Sequence, residues 1–266
     1  FVSKFETWLM NEKKYSVNYS GKQIDNLKTV CLDAIKCEIP TNNFVKQIQG
    51  FSEADEDRFI VTLSFDDLDK IRTSDKIVND SHINARKWLL IGCEIGQRGG
   101  DLLSITKDDI RYKSGNMYID VIQQKTKKSV TIGVINPNII DIIENGFPHK
   151  ISTQKMNDYI KKVCELAEIN ESIEGKKYDE DTKRKKLSFY PKYELVTTHS
   201  FRRSFATNYY KIIPTPILIT ITGHSKESEF LKYINKHEDK DANADLFMKF
   251  YEQINQKREP QLKKVL

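Results

Sequence analysis

The chain has 266 residues, 38% hydrophobic and 30% charged, enough apolar material for one large or two ordinary domains with packed cores. No signal peptide is visible, and the longest mostly apolar runs, Trp88 to Cys93 and Ile217 to Ile221, are far too short for a membrane-spanning helix. With 43 basic and 38 acidic residues the net charge is only +5, a mild bias toward nucleic acid that requires the basic groups to gather on one face.

Four cysteines, Cys31, Cys37, Cys93 and Cys164, show neither CxxC nor zinc spacing and read as free thiols in a reducing cytosol. The chain begins at Phe1 rather than methionine, and the expectation is a piece of a longer protein.

Helical periodicity dominates. Residues 1–10 place Phe1, Phe5, Leu9 and Met10 near one face, and residues 18–37 carry Ile24, Leu27, Val30, Leu32 and Ile35 at spacings mostly of three. Tyr15 to Ser20 reads as their connection, with Ser20 as a cap. From Glu38 to Phe59 a further helix and then an acidic linker are expected, with a domain boundary at about 56–63. Ser64 can cap the next helix, whose first turn Asp67 favours. A helix over 82–96 sends Ile83, Trp88, Leu89, Leu90, Ile91 and Ile95 into a core.

Residues 110–135 read as β structure. Met117, Ile119 and Val121 alternate, as do Val130, Ile132 and Val134, with turns at Ser114-Gly115-Asn116 and Thr126-Lys127-Lys128. Helices follow at 136–145, 152–169, 200–211, 215–222, 226–234 and 242–257. Pro214 and Pro216 open one of them and Gly223 closes it. The polar stretch 171–192 reads as an exposed loop or hairpin. The sum is a helical domain over 1–60 and a second domain over 61–266 that is mostly helical with a small antiparallel sheet.

Six polar residues stand out: Arg98, Lys125, His199, Arg202, His224 and Tyr233. Alone, each has an ordinary reading, such as a surface arginine, a turn lysine, a capping histidine or one of 12 tyrosines. Together they supply cations for a phosphate, proton donors and acceptors, and a hydroxyl to attack. Guanidinium groups are permanently charged and can bond two phosphate oxygens at once. His199 and Arg202 are three residues apart, which puts both on one helix face, with Phe201, Phe205 and Ala206 toward the core. Gly99 and Gly100 are expected to let the backbone turn so that Arg98 faces a ligand.

The settings GQRGGDL, QQKTKK, THSFRRSFATN and TGHSKESEFLKYI resemble those of the tyrosine recombinase (phage integrase) family, in family order from about residue 80 to 255. The resemblance implies a two-domain clamp on duplex DNA, built from a helical core-binding domain and a catalytic domain. It implies Arg98 and Arg202 as the catalytic arginines, with Asp101 orienting the first. It makes Lys125 the lysine that protonates the leaving 5′ oxygen, with Lys127 and Lys128 as alternatives.

His199 then bonds a phosphate oxygen or accepts the tyrosine proton, and His224 is the third phosphate-binding position. Tyr233, nine residues after His224, is the nucleophile of a 3′-phosphotyrosyl intermediate. Tyr251 lies too far beyond the Gly-His pair for that role. No cofactor or metal is expected. CEIGQR departs from the Thr-Gly-Leu-Arg string of many members. The 171–192 insertion resembles integrases of bacterial conjugative transposons and integrative elements, whose further N-terminal arm-binding domain would be missing here.

Lys13, Lys14, Lys22, Lys28, Lys107, Lys127, Lys128 and Arg203 are expected DNA contacts, with Lys176, Lys177, Lys183, Arg184, Lys185 and Lys186 as weaker ones. The helix over 242–257 either packs on its own core or docks on a neighbour in a homo-tetramer on paired double-stranded DNA sites. Accessory DNA-bending proteins are allowed as partners, and a membrane is not. The place of action is the bacterial cytoplasm, nucleoid-associated on DNA. Two alternatives remain: a type IB topoisomerase with the same tyrosine chemistry, and an architectural DNA-binding protein without catalysis. A metal nuclease lacks a suitably spaced carboxylate cluster.

Overall fold

A computed structural model describes all residues except 54–58, 181, 183, 237–239 and 259–266, with the side chains of 242 and 256–258 also left out. Much of the acidic linker and Lys183 therefore lie outside the described residues. The chain divides into two compact units. The first comprises residues 1–59 and 171–195, the second 60–170 and 196–266.

In the first unit, α1 (Val2–Thr7) runs into a π-helical segment (Trp8–Glu12) and is followed by α2 (Val17–Lys36). Leu9, Ile24 and Ile48 form its small core, flanked by Val2, Phe5 and Phe51. Ser16, not Ser20, caps α2, its side chain accepting from the Tyr19 N–H. Ser20 instead lies inside the helix and is fully buried. Among the described residues between Glu38 and Phe59, the expected helix is reduced to one 3-10 turn (Asn43–Gln47). Pro40 and Gly50 bracket this short stretch, which still buries Val45 and Ile48.

The polar stretch pairs as an antiparallel hairpin, β4 (Ser172–Asp179) with β5 (Arg184–Pro191), followed by a short α8 (Lys192–Leu195). It was expected within the second domain, yet it belongs to the first unit. Lys176 pairs with Glu53 at 3.0 Å and Arg184 Nη2 donates to the Met10 carbonyl at 2.8 Å. The continuous ranges 1–60 and 61–266 therefore become two interleaved segments.

The second unit opens with α3 (Phe65–Thr73), started by a reciprocal capping box between Ser64 and Asp67. Helix α4 (Asp80–Ile95) is its axis, packed against α7 (Thr153–Leu166) and α9 (Thr198–Tyr209). Trp88, Leu89, Ile91 and Ile95 of α4 are buried. After the short α5 (Gly99–Leu102) comes a three-stranded antiparallel sheet of β1 (Ile110–Lys113), β2 (Asn116–Ile122) and β3 (Ser129–Val134), in that order. Met117, Ile119 and Val121 pair with Val134, Ile132 and Val130. All six are buried on one face, as period-two alternation requires.

Helix α6 (Pro137–Gly146) follows the sheet. Past α9 come α10 (Thr215–Thr222), α11 (Glu227–Tyr233) and α12 (Lys240–Arg258). Phe205, Ala206, Leu218, Phe230 and Ile234 join α9, α10 and α11 in one core. Among the described residues, no helix is long and apolar enough to cross a membrane.

Candidate active site

The second unit brings four sequence motifs to one place. Arg98 caps α5 directly after the buried end of α4. Gly96, at φ 64°, makes the left-handed end of α4. Gly99 and Gly100 do not make the turn expected of them. Gly99 is needed for closeness, because a Cβ there would sit 2.9 Å from Thr198. That approach locks the Arg98 turn against the start of α9. The Thr198 N–H is in turn fixed by Asn157 Oδ1 at 2.9 Å.

On α9, Phe201 and Phe205 enter the core as expected, while Arg202 is only 1% exposed. Its Nη1 donates to the Gly96 carbonyl at 3.1 Å and its Nη2 donates to the Thr222 carbonyl. The guanidinium thus ties together the ends of α4 and α10. Burial lowers its pKa to about 10, so the group stays charged at neutral pH.

Gly223, at φ 66°, ends α10 with the His224 N–H bonded to the Ile219 carbonyl at 3.1 Å. This is the six-residue closure of a Schellman motif, and it fixes His224 where the sequence places it. Thr222 Oγ1 lies 2.9 Å from His224 Nδ1.

Tyr233 closes α11 and lies at the centre of these groups. Its ring centroid is 5.4 Å from that of His199 and 5.0 Å from that of His224. The guanidinium carbons of Arg202 and Arg203 lie 5.6 Å and 5.3 Å from its ring centre. Arg203 was expected against DNA or an acidic neighbour, and its position beside Tyr233 was not foreseen. Among the described residues, the buried Tyr233 hydroxyl and Arg203 Nε find no hydrogen-bond partner of good geometry, although Arg202 lies close enough to the phenolic oxygen to favour its ionised form. Burial pushes the phenol above its ordinary value, opposed by the charges of Arg202, Arg203 and Arg98.

Asp101 is 4% exposed and divides its oxygens. Oδ1 accepts from the Gln124 N–H at 2.9 Å, and Oδ2 lies 3.9 Å from Arg98 Nη1. It therefore fixes the β2–β3 turn and lies within ion-pair reach of the arginine. Lys125 stands exposed on that turn; the structure does not place its ammonium in contact with the other five residues. Neighbouring Lys128 reaches the His224 carbonyl at 3.5 Å. Gln97 and Gln123, both fully buried, were not foreseen as part of the site.

Partial burial, together with Arg203, Arg202 and Arg98, lowers His199 to about 4, but the residue is exposed and solvent weakens the effect. Burial, Arg202, Arg98 and Lys128 lower His224 to about 4. Both imidazoles are therefore neutral at neutral pH. Unfolding frees them to titrate near 6.5, so the unfolded chain binds more protons between about pH 6.5 and 4. Stability is expected to fall as pH falls through that window, chiefly through half-buried His224 and less through exposed His199. Thermal unfolding from about pH 7.5 to about pH 4.5 checks this. A His199→Gln/His224→Gln variant should show a flatter profile than wild type, and parallel profiles would refute the assignment.

Residues 62–240 match the phage integrase family. The chain belongs to that family. No curated protein sequence matches it. Solved structures resemble this integrase-family chain at low identity. A lambda integrase dimer bound to a COC' core site is 18% identical with a TM-score of 0.59, covering 90% of this chain and 65% of the other. This chain thus spans just under two thirds of that lambda integrase. XerH site-specific recombinase, in a post-cleavage complex on palindromic difH substrate, gives 16% and 0.62, with coverages of 94% and 72%. The Tn1549 transposon integrase in complex with circular intermediate DNA gives 16% and 0.57, with coverages of 92% and 84%. Lambda integrase is also known as a tetramer bound to a Holliday junction, with a TM-score of 0.57. At these identities the likeness is one of fold.

Proposed function

We propose that this chain is a tyrosine-type site-specific DNA recombinase that integrates and excises a mobile element. The observation that carries the reading is the closure of Arg98, His199, Arg202 and His224 around a buried tyrosine whose hydroxyl has no well-formed hydrogen bond among the described residues. Tyr233 attacks a DNA phosphate. Arg98 and Arg202 neutralise the charge that grows on its non-bridging oxygens. Neutral His199 accepts the phenolic proton, while His224 bonds a phosphate oxygen. Lys125 protonates the leaving 5′ oxygen, with Asp101 holding its turn. The phosphotyrosyl link keeps the energy of the broken bond, so rejoining needs no outside energy source.

Duplex DNA is held in a clamp by the first unit and the catalytic unit. Exposed Lys13, Lys14, Lys22, Lys107, Lys127 and Lys128, with half-buried Lys28, bind the backbone and make affinity salt-dependent. Phe247, Phe250, Tyr251 and Ile254 of α12 remain exposed. That supports docking of the helix on a neighbouring protomer in a tetramer on paired sites, over packing on its own core. The lambda integrase tetramer on a Holliday junction supports such an assembly, and the other DNA complexes of solved relatives support DNA binding. Action in a bacterial cytoplasm, with accessory DNA-bending proteins, completes the reading.

Covalent capture from a random pool of nicked duplexes tests it. Detergent-resistant adducts that share one DNA sequence are the expected result. Adducts without sequence preference would instead indicate a topoisomerase, and salt-sensitive binding without any adduct an architectural protein.

A further inference from the structure

The pieces of the site are joined by two buried glutamines. Gln123 Oε1 accepts from Arg98 Nη1 at 3.2 Å and from Thr126 Oγ1 at 2.8 Å. Gln123 Nε2 donates to Gln97 Oε1 at 2.9 Å. Gln97 Nε2 donates to the carbonyls of Ile221 at 2.8 Å and Ile95 at 3.1 Å. The direction of this chain follows from chemistry. A guanidinium only donates, so Gln123 must face Arg98 with its oxygen. Its amide nitrogen then points at Gln97, whose own nitrogen is left for the two carbonyls. Every polar atom of both side chains is engaged, as burial demands.

The space around Gln123 is equally fixed. A Cβ on Gly223 would come within 2.1 Å of Gln123 Oε1, so the turn before His224 closes directly over it.

Gln123 is neutral, so it orients Arg98 without cancelling its charge. Asp101, the nearby carboxylate, stays 3.9 Å away. Arg98 keeps further N–H donors for a phosphate. The same oxygen holds Thr126, the residue next to Lys125. The Gln123 backbone also bonds the turn at both ends, its N–H to the Lys128 carbonyl at 2.9 Å and its carbonyl to the Lys127 N–H at 2.8 Å.

We propose that Gln123, held by Gln97, is a positioning residue that seats the turn carrying Lys125 on Arg98. The phosphate-binding arginine and the proton-donating lysine are thereby set as one unit. The inference rests on the roles given to Arg98 and Lys125 under the proposed function.

The test is single-turnover cleavage by the full chain on the duplex site recovered by covalent capture. Two versions of that site are compared, one with the ordinary 5′ oxygen and one with a bridging 5′ sulfur at the scissile phosphate. Sulfur leaves without a proton donor, so it rescues only defects in proton delivery. Gln123→Leu is expected to slow the oxygen substrate at least about tenfold, and the sulfur substrate far less. Thr126→Val, on a partly exposed turn where folding is safe, should show a smaller loss with the same rescue. Lys125→Ala gives the full rescue as reference, and Arg98→Ala gives none. Rescue of Lys125→Ala but not of Gln123→Leu or Thr126→Val would overturn the inference and leave the lysine assignment standing. Rescue of no variant, Lys125→Ala included, would overturn the lysine assignment and the inference with it.

Discussion

Tyr233→Phe is expected to abolish covalent attachment to DNA while leaving the protein at least as stable as wild type. The two effects separate because the hydroxyl does nothing for the fold. Among the described residues it is buried without a well-formed hydrogen bond, and an unsatisfied buried polar group costs about 1–3 kcal/mol. The ring meets His199, His224, Arg202 and Arg203 through contacts that phenylalanine retains. Removing the oxygen therefore relieves a cost and takes away no more than a poorly aligned contact with Arg202. The chemistry has no substitute for it, so single-turnover cleavage should drop on the order of 10⁴-fold or more. Adduct formation, thermal unfolding and salt-dependent DNA binding are the three readouts. A variant that still forms adducts would move the nucleophile to another tyrosine. A clear loss of stability would mean that the hydroxyl is bonded in solution.

The proposed function gives the surroundings of that hydroxyl a use. A tyrosine serving only as packing gains from a partner for its oxygen or from being phenylalanine. Here two arginines and two neutral histidines surround a ring whose oxygen is left for something else. The arginines pull the phenol toward ionisation and burial pushes it away. A phosphate brings negative charge to the arginines and a target to the oxygen together.

Much of this was legible in the sequence, for reasons that are local. The alternation of Met117, Ile119 and Val121 can satisfy only a strand with one buried face. Ser64 and Asp67 sit at the spacing of a capping box and form one. Gly223 before His224 marks a left-handed helix end, which puts the histidine in place.

What escaped was non-local. Ser16 and Ser20 are both acceptable caps, and only the packing of α2 against residues 48–51 decides between them. The strands of the 172–191 hairpin are polar because most of their residues are exposed, and the hairpin joins residues 1–59 of its own unit, far away in sequence. Gln97 read as a mere departure before Arg98. Its partner lies 26 residues on, and its role became visible only once both amides met. Arg203 looked like a spare basic residue because its neighbour Arg202 took the assigned role. Its contact with Tyr233 depends on how α11 returns over α9.

Arg202→Ala is expected to damage both chemistry and fold, and the two losses are separable. Arg202 is the largest charged side chain in the core, with donors to the carbonyls of Gly96 and Thr222. Alanine strands both carbonyls and opens a cavity, a loss of about 2–4 kcal/mol in stability. On the proposed function it also removes one of two fixed charges at the scissile phosphate, a loss of about 3–5 kcal/mol of transition-state stabilisation, or roughly 10²- to several 10³-fold in rate.

Arg202→Lys divides these effects. An ammonium keeps a positive charge under Tyr233 but lacks the planar fork that reaches two carbonyls and a phosphate together. If charge alone matters, lysine should restore most of the cleavage rate. If the fork matters, lysine should recover part of the stability and little of the rate, and that is the outcome the geometry predicts. Urea unfolding at neutral pH reads the first quantity, and single-turnover cleavage below the unfolding range reads the second. Near-normal cleavage by either variant would remove Arg202 from the phosphate site and leave it as a structural tie between α4 and α10.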